Sequence, residues 1–318
     1  MVQNGTSSNA ERANFLAELA KWGPDQATSA CNMATAHAYC QRLARNHYEN
    51  FTVASWLLPQ SLRQDFHNLY AYCRWSDDIA DELDAAKSLP LLHWWQQQLH
   101  QCYSGRPTHP VMIALQHTIE RHQIPIQPLN DLLSSFIQDQ SKNRYRDEAE
   151  LLDYCRRSAN PVGRVILKMA CAESDQNLIL SDAICTGLQM ANFCQDMARD
   201  AAIKRIYAPT DLCLAHNVSE SMVLASKSTP QLTALLRCWV SETRARFDAG
   251  WPLVRSVPVW LAMDIELFIR GGVAILDEIE ATAFDVWTKR PTLSKFKKLK
   301  LLGAALLSRV RERRSYDE

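Results

Sequence analysis

The stretch Tyr70–Glu82, YAYCRWSDDIADE, decides how the rest of the chain is read. Each residue of an α-helix advances about 100° around the axis, so Tyr70, Arg74, Asp77 and Asp81 fall within about 60° of one another and form a polar stripe. Leu62, Phe66, Leu69, Cys73 and Ala80 occupy the adjoining strip, which is apolar. Two carboxylates, a guanidinium and a phenol therefore border the face expected to meet a core. Charge placed there must be paired or bound to metal. Asp78 and Glu82 fall further round and read as solvent-facing acids of the helix surface.

Outward from this stretch the helical period continues in both directions, and no run of strand-like alternation interrupts it. The periodicity predicts helices near 30–46, 61–83, 88–103, 109–122, 128–140, 148–157, 161–173, 178–201, 218–226, 230–248, 258–282 and 291–313. Prolines and glycines mark the breaks, among them Pro59, Pro90, the Pro125/Pro128 pair, Asn160-Pro161 and Pro291. The fold class is all-α. Residues 1–28 are polar and rich in small side chains and read as a loose arm; no low-complexity linker divides 29–318, which reads as a single helical domain.

A second acidic stripe lies far along the chain, in LQMANFCQDMARD. Asn192, Asp196 and Asp200 recur every fourth residue, with Gln195 and Arg199 beside them. Oxygen-only donors of this kind suit Mg²⁺, which binds a few carboxylates together with substrate phosphates and water. Arg74, Arg199 and Arg205 are placed to meet diphosphate oxygens. The competing reading is that each pair is a set of surface acids matched to arginines at helical spacing. No Ser-His-Asp order, histidine cluster or glycine-rich phosphate loop competes with it.

Composition narrows the choices further. Lys plus Arg and Asp plus Glu are both 35 among 318 residues, so there is no basic bias toward nucleic acid. No apolar run approaches the roughly 18–20 residues that span a bilayer. The N-terminus shows no basic segment followed by an apolar one, so a cytoplasmic protein is expected. The ten cysteines are scattered without a C-x-x-C and read as reduced, small core residues. The last helix, LSKFKKLKLLGAALLSRVRERR, is basic and amphipathic. It either docks through its leucines and alanines or lies on a membrane, which leaves peripheral contact at the inner membrane face open.

The combination YAYCRWSDDIAD, NFCQDMARD and KRIYAP resembles the squalene/phytoene synthase family, from about His47 to the ILDE at 275–278. That resemblance implies an isoprenoid synthase-type helical bundle around a central cavity, with Mg²⁺ held by two aspartate-rich motifs and prenyl diphosphate bound to it. Carried over, the metal ligands are Asp77, Asp81, Asn192, Asp196 and Asp200. HYENFTVASWLLP (47–59), YCRRSANPVGRVIL (154–167) and RGGVAIL (270–276) are similar to the hydroxysqualene synthase branch. That branch converts presqualene diphosphate and water to hydroxysqualene and diphosphate without NADPH. The substrate contacts then implied are His47, Asn50, Phe51, Arg74, Asn160, Arg164, Asn192, Gln195, Arg199, Arg205, Tyr207 and Gly272. Catalytic roles fall to the four aspartates with Tyr70 and Glu49. Glu49, Tyr70 and the leaving diphosphate are the candidate bases for the attacking water. Phe51, Phe136, Tyr145, Phe193 and Phe268 are candidate aromatic faces for the cation, or plain core. Gln195 stands where condensing enzymes commonly carry a basic residue, Glu49 where some carry a small or basic one, and Gly272 where some carry tyrosine. Fewer cations suit one diphosphate rather than two. The alternative is condensation of farnesyl or geranylgeranyl diphosphate by a squalene, presqualene diphosphate or phytoene synthase. Gly271-Gly272 either leaves room for a water or marks close helix packing.

Overall fold

The computed structural model describes residues 9–26, 31–46, 58–225 and 227–316, and every regular element among them is helical. The described chain forms two compact units, Val2–Lys142 and Asn143–Glu318.

The N-terminal unit contains α1 (Asn9–Trp22), α2 (Met33–Asn46), α3 (Arg63–Asp81), α4 (Ala85–Tyr103), α5 (Pro110–His122) and α6 (Ile126–Asp139). The expected loose arm carries α1. Phe15 is buried edge-on against Trp75 at 5.6 Å between ring centroids, and Glu18 pairs with Arg42 of α2 at 2.9 Å. One apolar anchor and one ion pair dock a helix whose own periodicity is weak. Pro90 does not break the chain. It lies inside α4, close enough to its start that only an early carbonyl loses its partner.

α3, which carries the opening stretch, packs against α2, α4, α5 and α6. Neutral hydrogen bonds fix its rotation. Tyr72 Oη donates to the Leu129 carbonyl (2.8 Å), Trp75 Nε1 to Tyr39 Oη (3.0 Å), and Asn68 Nδ2 to Thr118 Oγ1 (3.0 Å). Trp95 Nε1 donates to Ser76 Oγ at 3.0 Å. Leaving any of these buried partners unmatched costs about 1–3 kcal/mol, so the helix is locked in one azimuth. His109 completes this core: its Nδ1 accepts the Val111 N–H at the start of α5, and its ring stands edge-on to Trp75 at 4.5 Å and Trp95 at 4.8 Å. Burial pushes its imidazole down to about 3, so it stays neutral.

The C-terminal unit contains α7 (Glu148–Ser158), α8 (Asn160–Met169), α9 (Asp175–Ala202), α10 (Thr210–Ala215), α11 (Glu220–Leu224), α12 (Pro230–Gly250), α13 (Val259–Ala281) and α14 (Lys295–Tyr316). The 28-residue α9, carrying the second acidic stripe, is the helix the unit is built on; α8, α12 and α13 all pack against it. Ser174 caps it by accepting the Asn177 N–H at 3.1 Å. A ring cluster surrounds its middle. Phe193 stacks on Tyr207 with centroids 3.9 Å apart, and Tyr145 and Tyr154 lie 5.7 and 5.8 Å from Tyr207.

Phe247 of α12 lies in a notch cut by two glycines. A Cβ on Gly272 would come within 2.3 Å of Phe247 Cζ, and one on Gly187 within 3.1 Å of Cε1. The packing alternative therefore accounts for Gly272, whose missing side chain is replaced by a phenyl ring rather than by a ligand. A Cβ on Gly271, by contrast, would meet nothing within 4 Å. We expect Gly272→Ala to lower stability by about 1–3 kcal/mol, the usual cost of overpacking. Phe247→Leu should recover part of that loss in the double variant, as read from urea midpoints. Simple additivity of the two losses would rule out the notch as the reason for the glycine.

Candidate active site

In the N-terminal unit, α3 turns Tyr70, Arg74 and Asp77 to partly accessible positions, with Asp81 exposed at the helix end. The expected polar stripe is therefore real. Its neighbours are not as expected: Asp78 is 9% exposed and Glu82 6%, so both are buried rather than solvent-facing. The cause is that α3 has helices on most sides and little free surface to offer. Arg74 pairs with Asp78, Nη2 to Oδ1 at 2.6 Å, while Arg74 Nε is buried with no acceptor among the described residues. Burial pushes the Asp77 carboxyl up to about 6, opposed by the Arg74 guanidinium, and pushes Asp78 up to about 7. Arg74 offsets only part of the cost of burying these carboxylates, and its own Nε lacks an acceptor among the described residues. A divalent cation with an anionic oxygen ligand answers both needs, and the all-oxygen donors Asp77 and Asp81 are of the type Mg²⁺ takes. Burial also raises the Tyr70 phenol to about 12. At neutral pH it therefore keeps its proton.

In the C-terminal unit, α9 buries Asp196 and Asp200 and leaves Asn192 half-buried. Asp196 is gripped by a residue the sequence reading passed over. Arg290 Nε lies 2.5 Å from Asp196 Oδ1 and Nη2 lies 2.9 Å from Oδ2, a two-pronged contact. Arg199, largely exposed, stands further off, with Nε 3.8 Å from Asp196 Oδ1. Gln195 also departs from expectation. Its Oε1 accepts from Arg290 Nη2 at 3.0 Å, and its Nε2 donates to the Pro291 carbonyl at 2.6 Å. Being buried, its amide is consumed in tying the segment before α14 onto α9. The sequence signal for Arg290 was slight: a Lys-Arg pair ahead of a proline, read only as a helix break.

Other expected contacts are committed elsewhere. Asn160 is buried and accepts a hydrogen bond from Thr186 Oγ1 at 3.0 Å, joining α8 to α9. Arg164 forms a fork with Asp182, at 3.0 and 2.5 Å. Both serve helix packing, the other reading of that segment. Arg205 lies beside the Tyr207 phenol, Nη1 to Oη 3.4 Å, while the Tyr207 ring belongs to the aromatic cluster. Phe193, Tyr145 and Phe136 are core residues, and Phe268 is half-buried. His47, Glu49, Asn50 and Phe51 lie outside the described residues. Asp264 on α13 also went unremarked in the sequence. It is 5% exposed, its Oδ1 has no partner among the described residues, and burial pushes its carboxyl up to about 8. Among the described residues no three His, Cys, Asp or Glu side chains converge as a metal cluster. That is compatible with Mg²⁺, which usually takes only one or two protein carboxylates beside phosphate and water.

An all-helical chain with two long acidic helices, each with carboxylates one turn apart, has the character of an isoprenoid-diphosphate enzyme. The family described as squalene/phytoene synthase matches residues 44–297, and the chain belongs to that family of prenyltransferase-type enzymes. A phytoene synthase of Arthrospira platensis is 29% identical over 292 residues, covering 86% of this chain and 93% of the relative. A hydroxysqualene synthase of Sinorhizobium fredii is 33% identical over 215 residues, covering 67% of this chain and 73% of the relative. The crystal structure of squalene synthase HpnC from Alicyclobacillus acidocaldarius superposes with a TM-score of 0.77 at 36% identity, covering 81% of this chain and 98% of that one.

Proposed function

We propose that the protein converts presqualene diphosphate and water to hydroxysqualene and diphosphate in a Mg²⁺-dependent reaction without NADPH. Gln195 carries this reading. Condensing members of the family commonly carry a basic residue there; this chain has a neutral amide, bonded to Arg290 and to the Pro291 carbonyl. Of the relatives described above, the hydroxysqualene synthase of Sinorhizobium fredii, 33% identical, favours the same branch.

The proposed oxygen donors for Mg²⁺ are Asp77 and Asp81 on α3 and, separately, Asn192, Asp196 and Asp200 on α9. Bound there, Mg²⁺ would neutralise charge developing on the leaving diphosphate. The buried Arg74 Nε donates to a diphosphate oxygen, and the Tyr70 phenol, protonated at neutral pH, adds a second donor. The carbon–oxygen bond to diphosphate breaks, the cyclopropane opens, and water forms the new carbon–oxygen bond and releases one proton. Glu49, Tyr70 and the departing diphosphate are the candidates to take that proton. Purified protein incubated with presqualene diphosphate and Mg²⁺, without NADPH, should yield hydroxysqualene by mass spectrometry. Absence of the alcohol would end this reading. Turnover of farnesyl or geranylgeranyl diphosphate alone would favour the condensation alternative, for which the long match to phytoene synthase speaks.

A further inference from the structure

α14 has two unlike faces. One is docked on α13: Lys297 pairs with Glu278, Leu301 is half-buried and Ala305 is fully buried, at i, i+4 and i+8. The opposite face is bare. Phe296 is 76% exposed and Leu299 66%, three residues apart and so neighbours on the helix surface. Gly303, one turn beyond Leu299, has nothing within 4 Å of the place its Cβ would take, so the ridge continues unobstructed. Lys295 and Lys298 border it on one side and Lys300 on the other, all exposed.

We propose that this ridge docks the protein on an anionic lipid surface, with Phe296 and Leu299 entering the headgroup boundary and the flanking lysines meeting lipid phosphates. Charge complementarity selects this occupant. From 295 to 316 the sequence holds eight Lys and Arg against one Glu, while the whole chain balances 35 against 35. The remainder is therefore net negative and is repelled by such a surface, so this helix alone sets the approach. A second copy of the chain would bring lysine against lysine across the same ridge, which like-charge repulsion opposes. Aromatic and aliphatic residues framed by lysines are the pattern that lies in a bilayer interface without crossing it, and no described helix is long and apolar enough to cross a membrane. The inference needs no substrate and stands apart from the proposed reaction.

The test is co-sedimentation of the full-length protein with sucrose-loaded vesicles of phosphatidylcholine alone or with 30% phosphatidylglycerol, at about 0.1 M salt, where the screening length is about 10 Å. Binding is expected only with phosphatidylglycerol. It should fall at least tenfold in Phe296→Gln/Leu299→Gln and in Lys298→Glu/Lys300→Glu, and be lost at 0.5 M salt. All four side chains are exposed, so the unfolding midpoint of either variant should match the wild type. No binding to phosphatidylglycerol vesicles, or equal binding by wild type and the Phe296/Leu299 variant, would overturn the proposal. So would a concentration-dependent dimer that the same variant abolishes, which assigns the ridge to a second copy, or lipid-independent binding to acidic proteins.

Discussion

Asp81→Asn and Asp200→Asn each reduce turnover of the prenyl diphosphate by at least about 10²-fold while leaving the protein folded. The size of the loss follows from removing one charged donor from a site that must stabilise a departing diphosphate. The substitution keeps the volume and most of the hydrogen-bonding capacity of the side chain and removes only its charge. Asp81 is exposed at the last turn of α3, so its fold cost is small. The turn after Asp200 is held through its backbone, whose carbonyl accepts the Arg205 N–H at 2.8 Å, and asparagine leaves that bond in place. Circular dichroism and urea midpoints check folding. A binding readout should accompany the rate. Mg²⁺ with inorganic diphosphate should raise the melting temperature of the wild type by mass action, and much less that of either variant. Full activity in either one would contradict the assignment of that carboxylate to the metal.

Arg290→Gln should destabilise the metal-free protein by about 2–3 kcal/mol, and Mg²⁺ should restore a large part of that loss. Asp196 is 4% exposed, and Arg290 meets both of its oxygens. Removing one partner of a buried ion pair costs roughly 3–5 kcal/mol because the other is left without compensation. The Arg290 side chain is 30% exposed, which places the expectation at or just below the lower end of that range. Arg199, 3.8 Å away and half exposed, compensates weakly. A divalent cation on Asp196 would replace the lost guanidinium charge, so the deficit measured by urea denaturation should shrink as Mg²⁺ is added. A deficit unchanged by Mg²⁺ would take Asp196 out of the metal-ligand set while leaving the ion pair intact as a structural feature. In the wild type the same reasoning makes Arg290 and the cation competitors for one carboxylate.

The helices and the acidic spacings were legible because both are local. Apolar residues recurring every third and fourth position mark a face whatever lies opposite, and the stripe of Tyr70, Arg74, Asp77 and Asp81 follows from the geometry of one helix. Boundaries set by serine, proline or asparagine were close for the same reason. What failed depended on partners distant in sequence. Asp78 and Glu82 looked exposed because helical angle alone does not count how many helices surround α3. α1 went unread because its docking rests on Phe15 meeting Trp75, a contact across the unit.

By itself, then, the sequence determined the all-α class, the pair of acidic helices and the family they belong to, since periodicity and short motifs are carried by neighbours along the chain. Only the tertiary structure decided which polar side chains remain for chemistry. Arg164 is taken by Asp182, Asn160 by Thr186, Gln195 by Arg290 and Pro291, and the space at Gly272 by Phe247. Arg290 reaches Asp196 across 94 residues. A buried polar group has to find a partner wherever packing brings one, and a missing side chain is filled by whichever ring packs against it; neither choice is written in local spacing.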